Sequence, residues 1–176
     1  MRSLRYNVAM SLDGFIAGPD GEYDWIVEDP TIDFAALFSE FDTVLMGRKT
    51  FVAALEHHPD GTMPGMDVIV VSSTIRPQDY PNVRVVSEDI SGVVTALKEA
   101  EGRDIWLFGG GALCRTLLDA GLVDRIEIAL MPVLIGDGVP VVPPGPRSPL
   151  LQLASCRPLP SGIVLLTYSI DSAPQS

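Results

Sequence analysis

The chain has 176 residues, 47% of them hydrophobic and 20% charged, the balance of one globular domain with a sizeable core. Its 23 acidic residues against 12 basic ones give a formal net charge of −11, which argues against nonspecific nucleic-acid binding, where Lys and Arg must neutralise phosphates. No apolar run reaches the ~20 residues of a membrane span.

The amino terminus, Met1 to Asn7, lacks the apolar segment of a signal peptide. Cys114 and Cys156 have neither metal-ligand nor disulfide spacing around them. A cytoplasmic protein with no metal site is the expectation.

In chain order, Leu4 to Ser11 alternates and reads as a first strand. Leu12 to Val27 is broken by Gly14, Gly18, Pro19 and Gly21, and reads as a long loop. Asp29-Pro30-Thr31 resembles a helix start, and Phe34, Leu37, Phe38 and Phe41 repeat as the apolar stripe of an amphipathic helix.

Asp42 to Met46 is a short strand closed by Gly47, and Lys49 to Glu56 is helical in pattern. Val68 to Val71 is an all-apolar run of the kind buried on both sheet faces. Val83 to Val86 is another strand, and Ile90, Val93, Val94 and Leu97 mark a helix with Gly102 as its C-cap. Asp104 to Phe108 then runs as a strand into Gly109-Gly110-Gly111, and a helix follows, ending at Gly121.

Beyond Gly121 come three strands, Val123 to Leu130, Leu150 to Cys156 and Ile163 to Ile170, without helices between them. A Pro/Gly-rich connection, Pro132 to Pro149, separates the first two. The alternation predicts a three-layer α/β/α domain over residues 1–170, with a mainly parallel sheet and antiparallel strands added at the carboxyl end. Residues 171–176 are expected to fray.

Ligands of open α/β sheets collect at the carboxyl ends of the strands. Here those ends read Ser11-Leu12-Asp13-Gly14, Gly47-Arg48-Lys49-Thr50, Ser72-Ser73-Thr74 and Gly109-Gly110-Gly111. Glycines admit close backbone approach, helix N-termini favour phosphate, and two cations with several hydroxyls suit the same group. The dinucleotide fingerprint G-x-G-x-x-G fails, because its third glycine falls on Cys114, and no P-loop sequence is present.

Val44-Leu45-Met46-Gly47-Arg48-Lys49-Thr50-Phe51, Val68 to Ser73 and Leu107-Phe108-Gly109-Gly110-Gly111 resemble the cofactor motifs of dihydrofolate reductases. With Ser11 to Ala17 and Gly121-Leu122-Val123-Asp124-Arg125, the chain is similar to the reductase domain at the carboxyl end of riboflavin-biosynthesis deaminase-reductases and to its stand-alone relatives. The resemblance implies a dihydrofolate-reductase-like fold that binds NADPH and reduces a small heterocyclic or carbonyl-type substrate. Other activities of the same kin are reduction of 5-amino-6-(5-phosphoribosylamino)uracil and of dihydrofolate. From another class comes a non-catalytic NADPH-binding module.

Carried over by resemblance, Gly47, Arg48, Lys49 and Thr50 would meet the cofactor phosphates, and Ser72 and Ser73 the adenosine 2′-phosphate, with Arg76 as a helper. Gly109, Gly110, Gly111, Ala112 and Leu113 would line the diphosphate and nicotinamide, and Ala9 and Ile16 would flank the ring. Asp33 is the preferred proton source, from a position that spacing leaves between Asp29 and Asp33, and Asp13 is a substrate-side carboxylate. The zinc-deaminase elements H-x-E and P-C-x-x-C are absent, as are clustered basic residues for a phosphoribosyl group. A homodimer through the late strands is expected.

Overall fold

The computed structural model describes residues 1–170, and the tail expected over 171–176 lies outside the described residues. The chain forms β1 (Leu4–Ser11), β2 (Phe15–Ala17), α1 (Phe34–Ser39), β3 (Phe41–Gly47), α2 (Arg48–Ala54), β4 (Asp67–Val71) and β5 (Val83–Val86). It continues with α3 (Ile90–Glu99), β6 (Asp104–Gly109), α4 (Gly111–Asp119), β7 (Arg125–Met131), β8 (Val139–Pro140), β9 (Leu151–Pro158) and β10 (Val164–Ile170).

Eight strands pair in the order β5-β4-β3-β6-β1-β7-β10-β9. All neighbours from β5 to β7 are parallel, and the antiparallel pairings are those of β10 with β7 and with β9. The first strand of the chain is therefore an interior strand, between β6 and β7. Its alternation feeds two cores. Leu4 and Tyr6 join Leu45, Ile69, Ile105 and Leu107 under Val94 of α3 and Leu113, Cys114 and Leu117 of α4. On the other face, Trp106 joins Phe41, Val44, Met46, Val68 and Val70 under Phe51 of α2, with Leu37 of α1 against them. These are the three layers.

A smaller cluster on that second face, near the carboxyl edge, unites Met131, Leu159 and Ile163 with Ala9, Trp25, Ile32 and Ala129. It lays the 23–33 segment over β1 and β7. Cys114 is fully buried, the small core residue its place on α4 suggested.

Three expectations change. The helix drawn from Asp29 to Phe41 contracts to α1, because Asp33 caps it and the chain turns extended after Glu40. Phe41 starts β3 instead, where it and Phe38 both stack on Trp106, so the apolar stripe holds its contacts without being one helix. Gly102 is not the cap of α3, which ends at Ala100. Its φ of +146° and the closeness of Asp42 and Arg2 are what require glycine there. Finally, the loop after Ser11 and the Pro/Gly-rich connection each yield a short strand, β2 and β8, which pair outside the main sheet.

Candidate functional site

Parallel strands separated by helices must all finish on one edge, and β4, β3, β6 and β1 are consecutive in the sheet. At ~4.8 Å per strand, Ser72, Gly47, Gly109 and the end of β1 form a row about 15 Å across the sheet, in which Ser11 reaches three residues past the level of Gly109. All four motifs that the sequence offers for the cofactor stand side by side along it.

Two helices begin in this row with no linker, α2 straight after Gly47 and α4 straight after Gly110. Neither has a side-chain cap. By contrast, α1 and α3 are closed by aspartates, Asp33 accepting from the Ala36 N–H and Asp89 from the Gly92 N–H. The first-turn N–H groups of α2 and α4 are thus without a side-chain acceptor, with the positive ends of both helices beside them.

The glycines divide by cause. A Cβ on Gly109 would come 3.1 Å from Thr50 Oγ1, and one on Gly111 would come 2.6 Å from the Pro140 carbonyl oxygen. Gly110 has φ +94°. Close packing and backbone shape therefore account for the whole triplet. Gly47 is different: its φ of −80° suits any residue and nothing lies within 4 Å of its Cβ position. Nothing among the described residues requires glycine there, and the unfilled space lies at the α2 N-terminus.

Arg48 and Lys49 are exposed at the head of α2, and neither forms an ion pair among the described residues. Thr50 is half-buried against Gly109. The Ser72 hydroxyl is buried, accepts from the Thr74 and Ile75 N–H groups and meets the Thr74 hydroxyl at 3.3 Å, which shapes the turn. Ser73 and Arg76 are exposed beside it. On α4, Ala112 is exposed, whereas the Leu113 side chain is buried in the core, so only its N–H faces the row.

The other end of the row belongs to β1. Ala9 lies on the second face and packs, like Trp25 and Ile32, against the Met131–Leu159–Ile163 cluster, and Ile16 lies half-buried on β2. Asp13 accepts from the Ser11 hydroxyl at 2.6 Å and from the N–H groups of Ile135 and Gly136. The Ser11 bond, with the two N–H groups, keeps its carboxyl below the usual range. Asp29 accepts from Ser161 and from the Thr31 hydroxyl and N–H, Ser161 being the strongest influence, and its carboxyl is held far below the usual range. Both are ionised clamps at neutral pH: Asp13 ties the start of the covering segment to the β7–β8 connection, and Asp29 ties its end to the β9–β10 turn. Asp33 is exposed, with Oδ1 on the Ala36 N–H.

Sequence reading missed the part of the connection around β8. The Tyr6 hydroxyl donates to the Val141 carbonyl, the Val141 N–H donates to the Gly14 carbonyl, and Gly111 admits the Pro140 carbonyl. A tyrosine inside an otherwise apolar strand face was the available signal, since a buried hydroxyl needs an acceptor. Asp124, quoted within a motif, proves to be an anchor: it accepts from the Leu4 N–H and from buried Lys98. The described residues hold no His/Cys/Asp/Glu group fit for a metal ion. A concavity of about 480 Å³, lined by Arg2, Asp42, Thr43, Met66, Asp67 and Glu101, lies at the amino edge, away from the row.

Fold and edge together define a dihydrofolate-reductase-like domain of the kind found in riboflavin-biosynthesis reductases. The family profile of the RibD C-terminal domain matches residues 2–165, and the chain belongs to that family, one of reductase domains. It is 30% identical over 177 residues to the uncharacterized protein YyaP of Bacillus subtilis (strain 168), covering 95% of this chain and 94% of that one. It is 29% identical to the riboflavin biosynthesis protein RibD of Corynebacterium ammoniagenes, covering 76% of this chain but 44% of that one.

Among solved structures, one assigned to riboflavin biosynthesis in Shewanella sp. PV-4 superposes with a TM-score of 0.81 at 28% identity, over 97% of this chain and 99% of that one. The Thermotoga maritima diaminohydroxyphosphoribosylaminopyrimidine deaminase/5-amino-6-(5-phosphoribosylamino)uracil reductase shares the fold, with a TM-score of 0.71 at 17% identity. That match covers 97% of this chain and 57% of that one. No helix among the described residues is long and apolar enough to cross a membrane.

The clamp at Asp29 has a pH signature. A depressed carboxyl contributes stability that is fully present above about pH 3.9 and is lost as pH falls through the folded-state value. Asp29→Asn is expected to lower the thermal midpoint at pH 7 and to flatten its fall below about pH 4. An unchanged pH profile in the variant would show that Asp29 does not hold the segment.

Proposed function

We propose that this chain is an NADPH-dependent reductase that delivers hydride to a small heterocyclic or carbonyl-type acceptor. The observation that carries this reading is Gly47, a glycine with an ordinary backbone and empty space above it, at the mouth of an uncapped helix that begins Arg48-Lys49-Thr50. In this reading the first turns of α2 and α4 take the diphosphate. Arg48, with the Ser72 and Ser73 hydroxyls and Arg76, takes the adenosine 2′-phosphate. Charge-assisted hydrogen bonds to that phosphate favour NADPH over NADH.

When bound, NADPH supplies the hydride, and the chain supplies position and a dry floor. Ala9 has a side chain small enough for a flat ring to lie against β1, and Ile16 closes one flank. The proton that balances the hydride goes to the heteroatom next to the reduced carbon. We assign its relay to Asp33, whose Oδ1 is held by the Ala36 N–H, while Asp13 holds the loop that borders the acceptor. Family membership favours one second reading, reduction of the riboflavin-pathway type.

We infer a cytoplasmic homodimer. β9 is exposed from Gln152 to Pro158, and Leu150 and Leu153 stand in solvent beside half-buried β10. A second copy would cover this surface.

NADPH is expected to quench tryptophan fluorescence at lower concentration than NADH, and Arg48→Ala to weaken NADPH roughly tenfold or more while sparing NADH. Equal weakening of both would remove Arg48 from the 2′-phosphate. With an acceptor in hand, Asp33→Asn should lower kcat at unchanged NADPH affinity, and a flat pH–rate profile in both proteins would end its assignment. Light scattering at micromolar protein should give twice the chain mass, and a monomer would refute the dimer.

A further inference from the structure

β1 and β6 part company before either strand ends. Their register runs Leu4↔Ile105, Arg5↔Trp106 and Tyr6↔Leu107 and stops there, while the register of β1 with β7 continues to Ser11↔Met131. β6 stays with β3 instead. Against β3 it pairs Leu107 with Leu45 and then Gly109 with Met46, so Phe108 is an extra residue, and such a bulge bends its strand. The sheet is therefore split between β1 and β6 at the carboxyl edge, within the row.

The hydrogen-bond ladder tells which groups face the split. The Ile105 N–H donates to the Ser3 carbonyl and the Asp124 N–H to the Leu4 carbonyl. Odd residues of β1 therefore turn their backbone groups towards β6, and even residues towards β7. Continued at that period, the ladder would next bond the Gly109 N–H to the Asn7 carbonyl and the Ala9 N–H to the Gly109 carbonyl. The register ends before either. A side chain takes the Asn7 carbonyl instead: Trp106 Nε1–H donates to it at 3.0 Å.

Trp106 is fixed in that position. It is 6% exposed, and its ring stacks on Phe38 and Phe41 at centroid distances of 5.3 and 5.7 Å. Phe108, the bulge residue, meets it edge-on at 4.6 Å. Splitting a strand pair inside a protein orphans backbone groups, at a cost comparable to a lost hydrogen bond. The indole N–H removes that cost at Asn7 and occupies the acceptor that would draw Gly109 back onto β1.

We propose that Trp106 is a positioning residue of this reductase: by holding the Asn7 carbonyl it keeps β6 off β1 and leaves the N–H and C=O of Ala9 open to the cofactor ring. The proposal rests on the cofactor reading above. Ala9 then offers one donor and one acceptor on one strand edge, the complement of a carboxamide such as that of nicotinamide. Trp106 acts through β1 and does not itself touch the ring.

The test compares NADPH with adenosine 2′,5′-bisphosphate, which keeps the 2′-phosphate end and lacks nicotinamide. Both are titrated by calorimetry into the wild type and into Trp106→Phe, which keeps an aromatic ring between its neighbours and removes the N–H donor. The variant should bind NADPH roughly tenfold more weakly, the loss of about one hydrogen bond, and the bisphosphate unchanged. Equal weakening of both ligands would make Trp106 a packing residue, and no change in either would take it out of the site; each overturns the proposal. Hydrogen exchange of the Ala9 amide in the wild type decides the matter should the variant fail to fold. Exchange should be fast in the free protein, slowed by NADPH and untouched by the bisphosphate. An Ala9 amide already protected without ligand overturns the proposal, as does one that NADPH fails to slow. A wild type that binds neither ligand removes the cofactor reading and the proposal together, whereas one that binds both leaves the cofactor reading standing whatever Trp106→Phe does.

Discussion

Parallel pairing of β3, β6 and β1 is the constraint from which the remaining features follow. A chain that returns through a helix after each strand must begin every strand on one edge and end every strand on the other. Carboxyl ends and helix N-termini are thereby forced together, here as a row running from Ser72 through Gly47 and Gly109 to Ser11. Aspartates cap α1 and α3, whereas α2 and α4 have no side-chain cap, so the unpaired first-turn N–H groups along this edge are those of α2 and α4.

Holding β1 in the interior of the sheet has an electrostatic component. Arg5 is buried, lies over the Phe41 ring and makes a bidentate contact with Glu127 of β7, with Asp104 and Glu40 as further partners. Burial opposes its charge, but the Glu127 and Glu40 bonds outweigh that and hold it firmly protonated. Asn7, next on the same face, donates to Glu127 and accepts from Trp106. Such a network adds little net stability over an apolar filling, yet a β1 shifted by one residue would bury these charges without partners. It therefore fixes the register that sets Ala9 beside Ala129 and Ser11 at the edge.

Regular elements were legible because their signals are local. β5 and β1 could be drawn residue by residue, since alternation or an all-apolar run states which faces are buried. The candidate site was legible as four motifs, because glycine next to a cation or hydroxyl at a strand end has few other uses. What could not be read were pairings across distance. Phe41 fitted the helical stripe by spacing, and only Arg5 and Trp106 reveal it as a strand residue. Gly109 to Gly111 looked like a phosphate seat because glycine has no side chain. The structure shows that the triplet's composition answers to Thr50 and Pro140, and that the informative glycine is Gly47. Asp13 and Asp29 read as acids available for chemistry, yet their hydrogen bonds run to residues more than a hundred positions away.

Those two long-range clamps also bear on how such a domain diversifies. Asp13 and Asp29 fasten the covering segment at both ends to turns of the carboxyl-terminal strands. Between them β2 is tied to β8 and Trp25 to the Met131 cluster, whereas exposed residues such as Asp20, Asp24 and Glu28 touch neither. Change there alters the surface above the carboxyl edge while the sheet beneath keeps its register.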